Sequence, residues 1–118
     1  AAGRGDCLLL TTPHGCRQFF AELGDSSVGL LLDTGHARVS AQAFAFDPLD
    51  FLSIGLPIGG IHLSDNDGTR DNNQPFGPDA WFAKGLRQFA QLPITVEVYG
   101  LDHEGRRRQR DVLSSLLQ

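Results

Sequence analysis

Apolar residues gather into four short, nearly unbroken runs separated by stretches of helical spacing: CLLLTT (7–12), VGLLLD (28–33), GGIHLSD (59–65) and ITVEVYG (94–100). Strands wet on one face alternate apolar and polar residues, whereas strands covered on both faces do not. The four runs therefore predict buried, parallel strands. Between them, Phe19, Phe20 and Leu23 share one side of 16–23, and Asp47-Pro48 opens a short helix backed by Leu49 and Leu52. Trp81, Phe82, Leu86 and Phe89 recur at helical spacing over 79–91, and Val112, Leu113, Leu116 and Leu117 close a helix over 104–117. Strand and helix alternate four times, which predicts an α/β fold of four parallel β/α units with right-handed crossovers.

Four such units leave two unpaired sheet edges, which invite pairing with another chain. A closed (β/α)8 barrel needs about 250 residues. The 118 residues here are about half of that and suit a single domain spanning 1–118. The sheet is therefore expected to stay open, to meet a second copy, or to be half of a barrel.

Composition narrows the partners. Apolar residues make up 41% and charged residues 20%, as in an ordinary soluble domain, and the net charge of −4 gives no reason to expect nucleic acid or an anionic membrane. No apolar run approaches the roughly 20 residues of a membrane span. The start, AAGRGD, lacks a leading Met and the basic-then-apolar pattern of a signal peptide, and reads as processed, trimmed or partial. Cys7 and Cys16 stand nine residues apart without a Cys-x-x-Cys, which fits neither a disulfide framework nor a zinc clip. Reduced, buried thiols in a cytoplasmic protein are expected.

In parallel α/β folds the working groups gather at the C-terminal strand ends. Here the second run ends in Asp33 with His36 just beyond, the third contains His62 and ends in Asp65, and the fourth carries Glu97. An ionised carboxylate among Thr95, Val96, Val98 and Tyr99 costs several kcal/mol unless it is paired or bound to a metal. Two imidazoles and two carboxylates on successive strand ends suit manganese, zinc, cobalt or iron better than calcium. Each also has a plainer reading: Asp33 as a helix cap, His62 as a hydrogen-bonded core residue, Glu97 as partner to one of ten basic residues. The loop HLSDNDGTRDNNQPFGPDAW (62–81) is rich in turn formers. Its Arg70 is either a phosphate or carboxylate clamp or the partner of a neighbouring Asp.

VGLLLDTGH, GGIHLSDNDGTRDNNQPFG and ITVEVYG together resemble the C-terminal half of the xylose isomerase-like barrel superfamily. That group includes sugar isomerases and epimerases, hydroxypyruvate isomerases, inosose dehydratases and apurinic endonucleases of the same fold. The resemblance covers nearly the whole chain and implies a half (β/α)8 barrel, completed by a homodimer partner or by a missing N-terminal half. It also implies a divalent metal cofactor (manganese, zinc, cobalt or magnesium) held by Asp33, His62 and Glu97. His36 would contact substrate beside the metal, and Glu97 would move a proton at the substrate carbon; Arg70, as the clamp read from the loop, would be a substrate-binding residue. The substrate implied is a small sugar, sugar phosphate or keto acid.

Three departures stand out. Aligning LLLTTP puts Thr11 where the superfamily has its first metal-binding Glu, and a neutral Thr cannot serve as acid–base. Asp71-Asn72-Asn73 stands where the endonuclease branch has Asp-x-His, so the further metal ligand of that branch is replaced by Asn73. The first four strands of the barrel have no counterpart in this sequence. The resemblance thus predicts an isomerase-like domain with activity retained, altered or lost. The competing expectation is a noncatalytic assembly module, with RRRQR (106–110) as either its contact or a solvated helix face. A nuclease is disfavoured by Asn73 and by the acidic charge.

Overall fold

The computed structural model describes residues 10–118. Helix α1 (Pro13–Leu23) is followed by strand β1 (Leu30–Asp33), helix α2 (Thr34–Phe44), a single helical turn α3 (Asp50–Ser53) and strand β2 (Ile58–Leu63). A 3-10 turn over Leu86–Phe89, strand β3 (Ile94–Val96) and helix α4 (His103–Leu116) complete the chain. The strands form one parallel sheet in the order β1-β2-β3.

The helix boundaries follow from capping chemistry. The Thr12 hydroxyl accepts the Gly15 N–H at 2.9 Å, Pro13 occupies the first turn, and Gly24 ends α1 at φ 64°. Asp33 caps α2 by accepting the His36 N–H at 3.0 Å, and Asp102 caps α4 by accepting the Gly105 N–H at 2.7 Å. No helix among the described residues is long and apolar enough to cross a membrane.

Among the described residues, one sheet face is packed and the other is open. Leu32, Ile61 and Leu63 point into a core with Cys16, Ala37, Phe51, Leu52, Phe76, Phe82 and Leu86, against which Ile94, Val96, Val112 and Leu113 also pack. The alternate positions, Leu31, Asp33, Gly60, His62 and Thr95, lie on the opposite face, and Leu31 is 56% exposed there. The register holds a bulge: Leu30 pairs with Ile58, but Leu31 pairs with Gly60, so Gly59 is an extra residue in β2. Beyond the bulge Asp33 stands opposite His62, and His62 opposite Thr95.

Several expectations are corrected. Of the strand expected over 7–12, residues 7–9 lie outside the described residues, and 10–12 lead into the α1 cap without pairing. The described sheet thus has three strands rather than four. It is a small α/β unit and does not by itself display a half barrel. The helix expected over 79–91 is a chain of turns ending in the 3-10 segment. Phe82 and Leu86 are both fully buried, so their spacing reports a shared core contact rather than a continuous helix. A Cβ at Gly85 would lie 2.7 Å from the Leu52 side chain, so this turn sits tight against α3. Helix α2 was not predicted: its core face is built from Ala37 and Ala41, small residues that give little periodic signal.

Candidate metal centre

Asp33 ends β1, His62 lies in β2, and Glu97 directly follows β3, with its N–H donating to the Leu63 carbonyl at 2.9 Å. Adjacent parallel strands stand about 4.8 Å apart, so three residues on one face of three neighbouring strands converge. Ligand atoms of Asp33, His62 and Glu97 all lie within 4.8 Å of one another. His62 Nδ1 is 3.2 Å from Glu97 Oε2. Donors around a divalent ion bound at about 2.1 Å stand roughly 3.4 Å apart, so about 1 Å of side-chain movement suffices to close the group. Two carboxylates and one imidazole, all half-buried, are a donor set that fits such an ion.

A second group shares Asp33. The ligand atoms of Asp33, His36 and Asp71 are likewise within 4.8 Å of one another. His36 Nδ1 sits between Asp33 Oδ2 at 3.1 Å and Asp71 Oδ2 at 3.2 Å, and the imidazole is largely exposed. Asp71 Oδ1 is buried with no hydrogen-bond partner. The absence of a side chain at Gly35 makes room for it, because a Cβ there would collide with Asp71 Oδ1. Asp33 therefore serves three ends: Oδ1 caps α2, Oδ2 faces His36, and the carboxylate borders His62 and Glu97.

The loop that delivers Asp71 is fastened to the first turn of α2. The Thr34 hydroxyl donates to the Ser64 carbonyl at 2.8 Å and accepts the Ser64 N–H at 3.0 Å. Asn66 Nδ2 donates to the Gly35 carbonyl at 2.9 Å. Asn73 adopts φ 52° and donates from Nδ2 to the Glu97 carbonyl at 2.8 Å, while its own carbonyl accepts the Tyr99 N–H at 3.1 Å. It acts as a clamp between loop and strand.

Other expected site residues lie elsewhere. Asp65 is taken up by Arg38, whose Nη1 lies 2.6 Å from Oδ1, and by an antiparallel bridge to Gln74. Arg70 is exposed and belongs to neither ligand group, and it forms no ion pair among the described residues. Its charge helps to hold the Asp67 carboxyl below the usual range, after the larger effect of the hydrogen bonds from Thr69. Thr11 lines a cavity of about 330 Å3 together with Asp33 and His36.

Two neighbours are not among the ligands expected from the sequence. Asp71 opens the Asp71-Asn72-Asn73 stretch that the resemblance sets against Asp-x-His, yet only the loop brings it through space to His36. Tyr99 had a signal, since it stands two residues beyond Glu97 in an extended segment and such residues share a face. Its hydroxyl donates to Glu97 Oε1 at 3.3 Å, and the Glu97 charge raises the phenol above its ordinary pKa. No family model, no curated protein and no solved structure matches this chain.

Proposed function

We propose that Asp33, His62 and Glu97 hold a divalent cation and that the chain is a metal-dependent, isomerase-like unit. It moves a proton next to a carbonyl of a small sugar, sugar phosphate or keto acid. The observation that carries this reading is the convergence of two carboxylates and an imidazole from three strands onto the open sheet face. The resemblance of VGLLLDTGH, GGIHLSDNDG and ITVEVYG to the xylose isomerase-like superfamily supports it. A bound divalent cation would supply polarisation of the substrate oxygens and so acidify the adjacent C–H. Glu97 is the base: Tyr99 donates to one of its oxygens and His62 flanks the other, which orients the carboxylate. The exposed His36 is placed to hydrogen-bond a substrate oxygen. Thr11, lining the cavity beside Asp33, is neutral, so the partner base that the resemblance implies at that position is replaced by a group that cannot take a proton.

The neutrality of Thr11 also favours a second reading, a noncatalytic domain that keeps the cation as a structural clamp. Titrating manganese or zinc into chelator-stripped protein tests the shared part. Melting temperature should rise by mass action, and Glu97→Ala should lose the rise. No shift at millimolar metal, or an equal shift in the variant, overturns the cation reading. Incubation of the metal-loaded protein with sugars and keto acids in deuterated water separates the two readings. Deuterium at the carbon next to the carbonyl supports catalysis, and metal binding without exchange supports the clamp.

The open face and the sheet edges further favour pairing of two copies. Sedimentation at micromolar concentration should detect a dimer, and a clean monomer refutes it.

A further inference from the structure

A recess of about 750 Å3 lies between α2 and the loop that follows β2, and none of Asp33, His36, His62, Asp71 or Glu97 lines it. Its walls carry Arg38, Phe46, Asp47, Asp65, Asp79 and Trp81. The volume is within the range of small-molecule sites.

Its charge is decided by which groups are already paired. Arg38 is tied to Asp65 at 2.6 Å, so that pair is neutral as a unit. One oxygen of Asp47 accepts the Leu49 N–H at 2.9 Å, and neither Asp47 nor Asp79 has a cationic partner among the described residues. The recess therefore presents two uncompensated negative charges. Its aromatic walls are fixed in advance. Trp81 Nε1 donates to the Thr34 carbonyl at 3.3 Å, and its ring meets Phe82 edge-on at 5.5 Å. Phe46 is held edge-on against Phe51 at 5.7 Å. Pro48 and Pro78, both on the walls, restrict the backbone there, which lowers the ordering cost of binding.

Carboxylates beside preset aromatic surfaces select a positive charge carried on an apolar body. We propose that this recess binds a small organic cation, an amine or a quaternary ammonium. The site is independent of the cation ligands on the sheet face, since the two share no residue.

Trp81 is the sole tryptophan of the chain, so selectively excited tryptophan emission reports on this recess. The probe is choline, titrated in chelator-containing buffer against its neutral isostere with carbon in place of nitrogen, and against acetate. Choline should change the emission saturably with a midpoint of about millimolar, the isostere should not, and Asp79→Asn should weaken binding about fivefold. Asp79 is exposed and caps no helix, so the variant is expected to fold. The proposal is overturned by no saturable change up to about 100 mM choline. It is equally overturned by an equal response to the isostere, or by saturation with acetate instead, which would assign the recess to Arg38 and an anion.

Discussion

Gln109 fastens the Asp71-bearing loop to α4, and replacing it tests how that loop is held. The side chain is 4% exposed, with Oε1 accepting the Phe76 N–H at 2.9 Å and Nε2 donating to the Phe76 carbonyl at 2.8 Å. Phe76 is itself buried and packs edge-on against Phe82 at 5.3 Å, so neither backbone group can turn to water. Gln109→Ala leaves a donor and an acceptor buried without partners, each costing about 1–3 kcal/mol, for a total of about 2–6 kcal/mol. In a domain of this size that lowers the melting temperature by roughly 10–30 °C. Gln109→Glu supplies a second arm. An ionised carboxylate keeps the acceptor but loses the donor and faces the Phe76 carbonyl, whereas the protonated acid satisfies both groups. Its pKa in the folded state is thus raised above the unfolded value of about 4.3. The acid's contribution to stability is fully present below that value and is lost as pH rises through the folded pKa. Urea denaturation of wild type and both variants across pH 3.5 to 7.5 measures this. A loss under about 0.5 kcal/mol for the alanine variant, or a glutamate variant that tracks wild type at every pH, refutes the reasoning.

Gly35→Ala should drive its new Cβ into Asp71 Oδ1 and to within 2.6 Å of Ser64 Oγ. The expected outcome is a stability loss of about 1–3 kcal/mol from overpacking, with metal binding that depends on Glu97 retained. Denaturation and metal titration of the one variant check both halves. Tyr99 is the only tyrosine, so ultraviolet absorbance titration follows it directly. Glu97→Gln should lower its pKa toward the ordinary phenol value of about 10, and an unchanged midpoint contradicts the assigned cause. Burial raises the Cys16 thiol above its ordinary pKa, so the stability it contributes is complete below about pH 8.5 and declines as pH rises through the raised value. Denaturation between pH 8 and 11 should show a steeper decline for wild type than for Cys16→Ala; parallel slopes refute it.

The parts legible in the sequence are those governed by short-range periodicity. LLLD, GGIHL and ITV read as parallel strands from their apolar runs, and strand ends place Asp33, His62 and Glu97 at a common rim, but the cover expected on both faces is met on one only, since Leu31, His62 and Thr95 lie on the face left open among the described residues. The illegible parts depend on through-space closure. Asp71 reaches His36 only because Thr34, Asn66 and Gln109 anchor the intervening loop at separate points. Over 79–91 the burial of Phe82 and Leu86 mimics a helical repeat, although separate turns deliver both to the core. In α2, alanines do the packing that larger residues would have announced.

The unpaired Gly59 puts two portions of β1 in different phase with β2. Upstream, Leu30 stays in step with Ile58; downstream, Asp33 meets His62, where an uninterrupted ladder would have set it against Ile61 on the packed side. A residue with no side chain thus decides which partner the aspartate meets. Lengthening or shortening the chain at that point would retune the candidate ligand group without altering one of its residues.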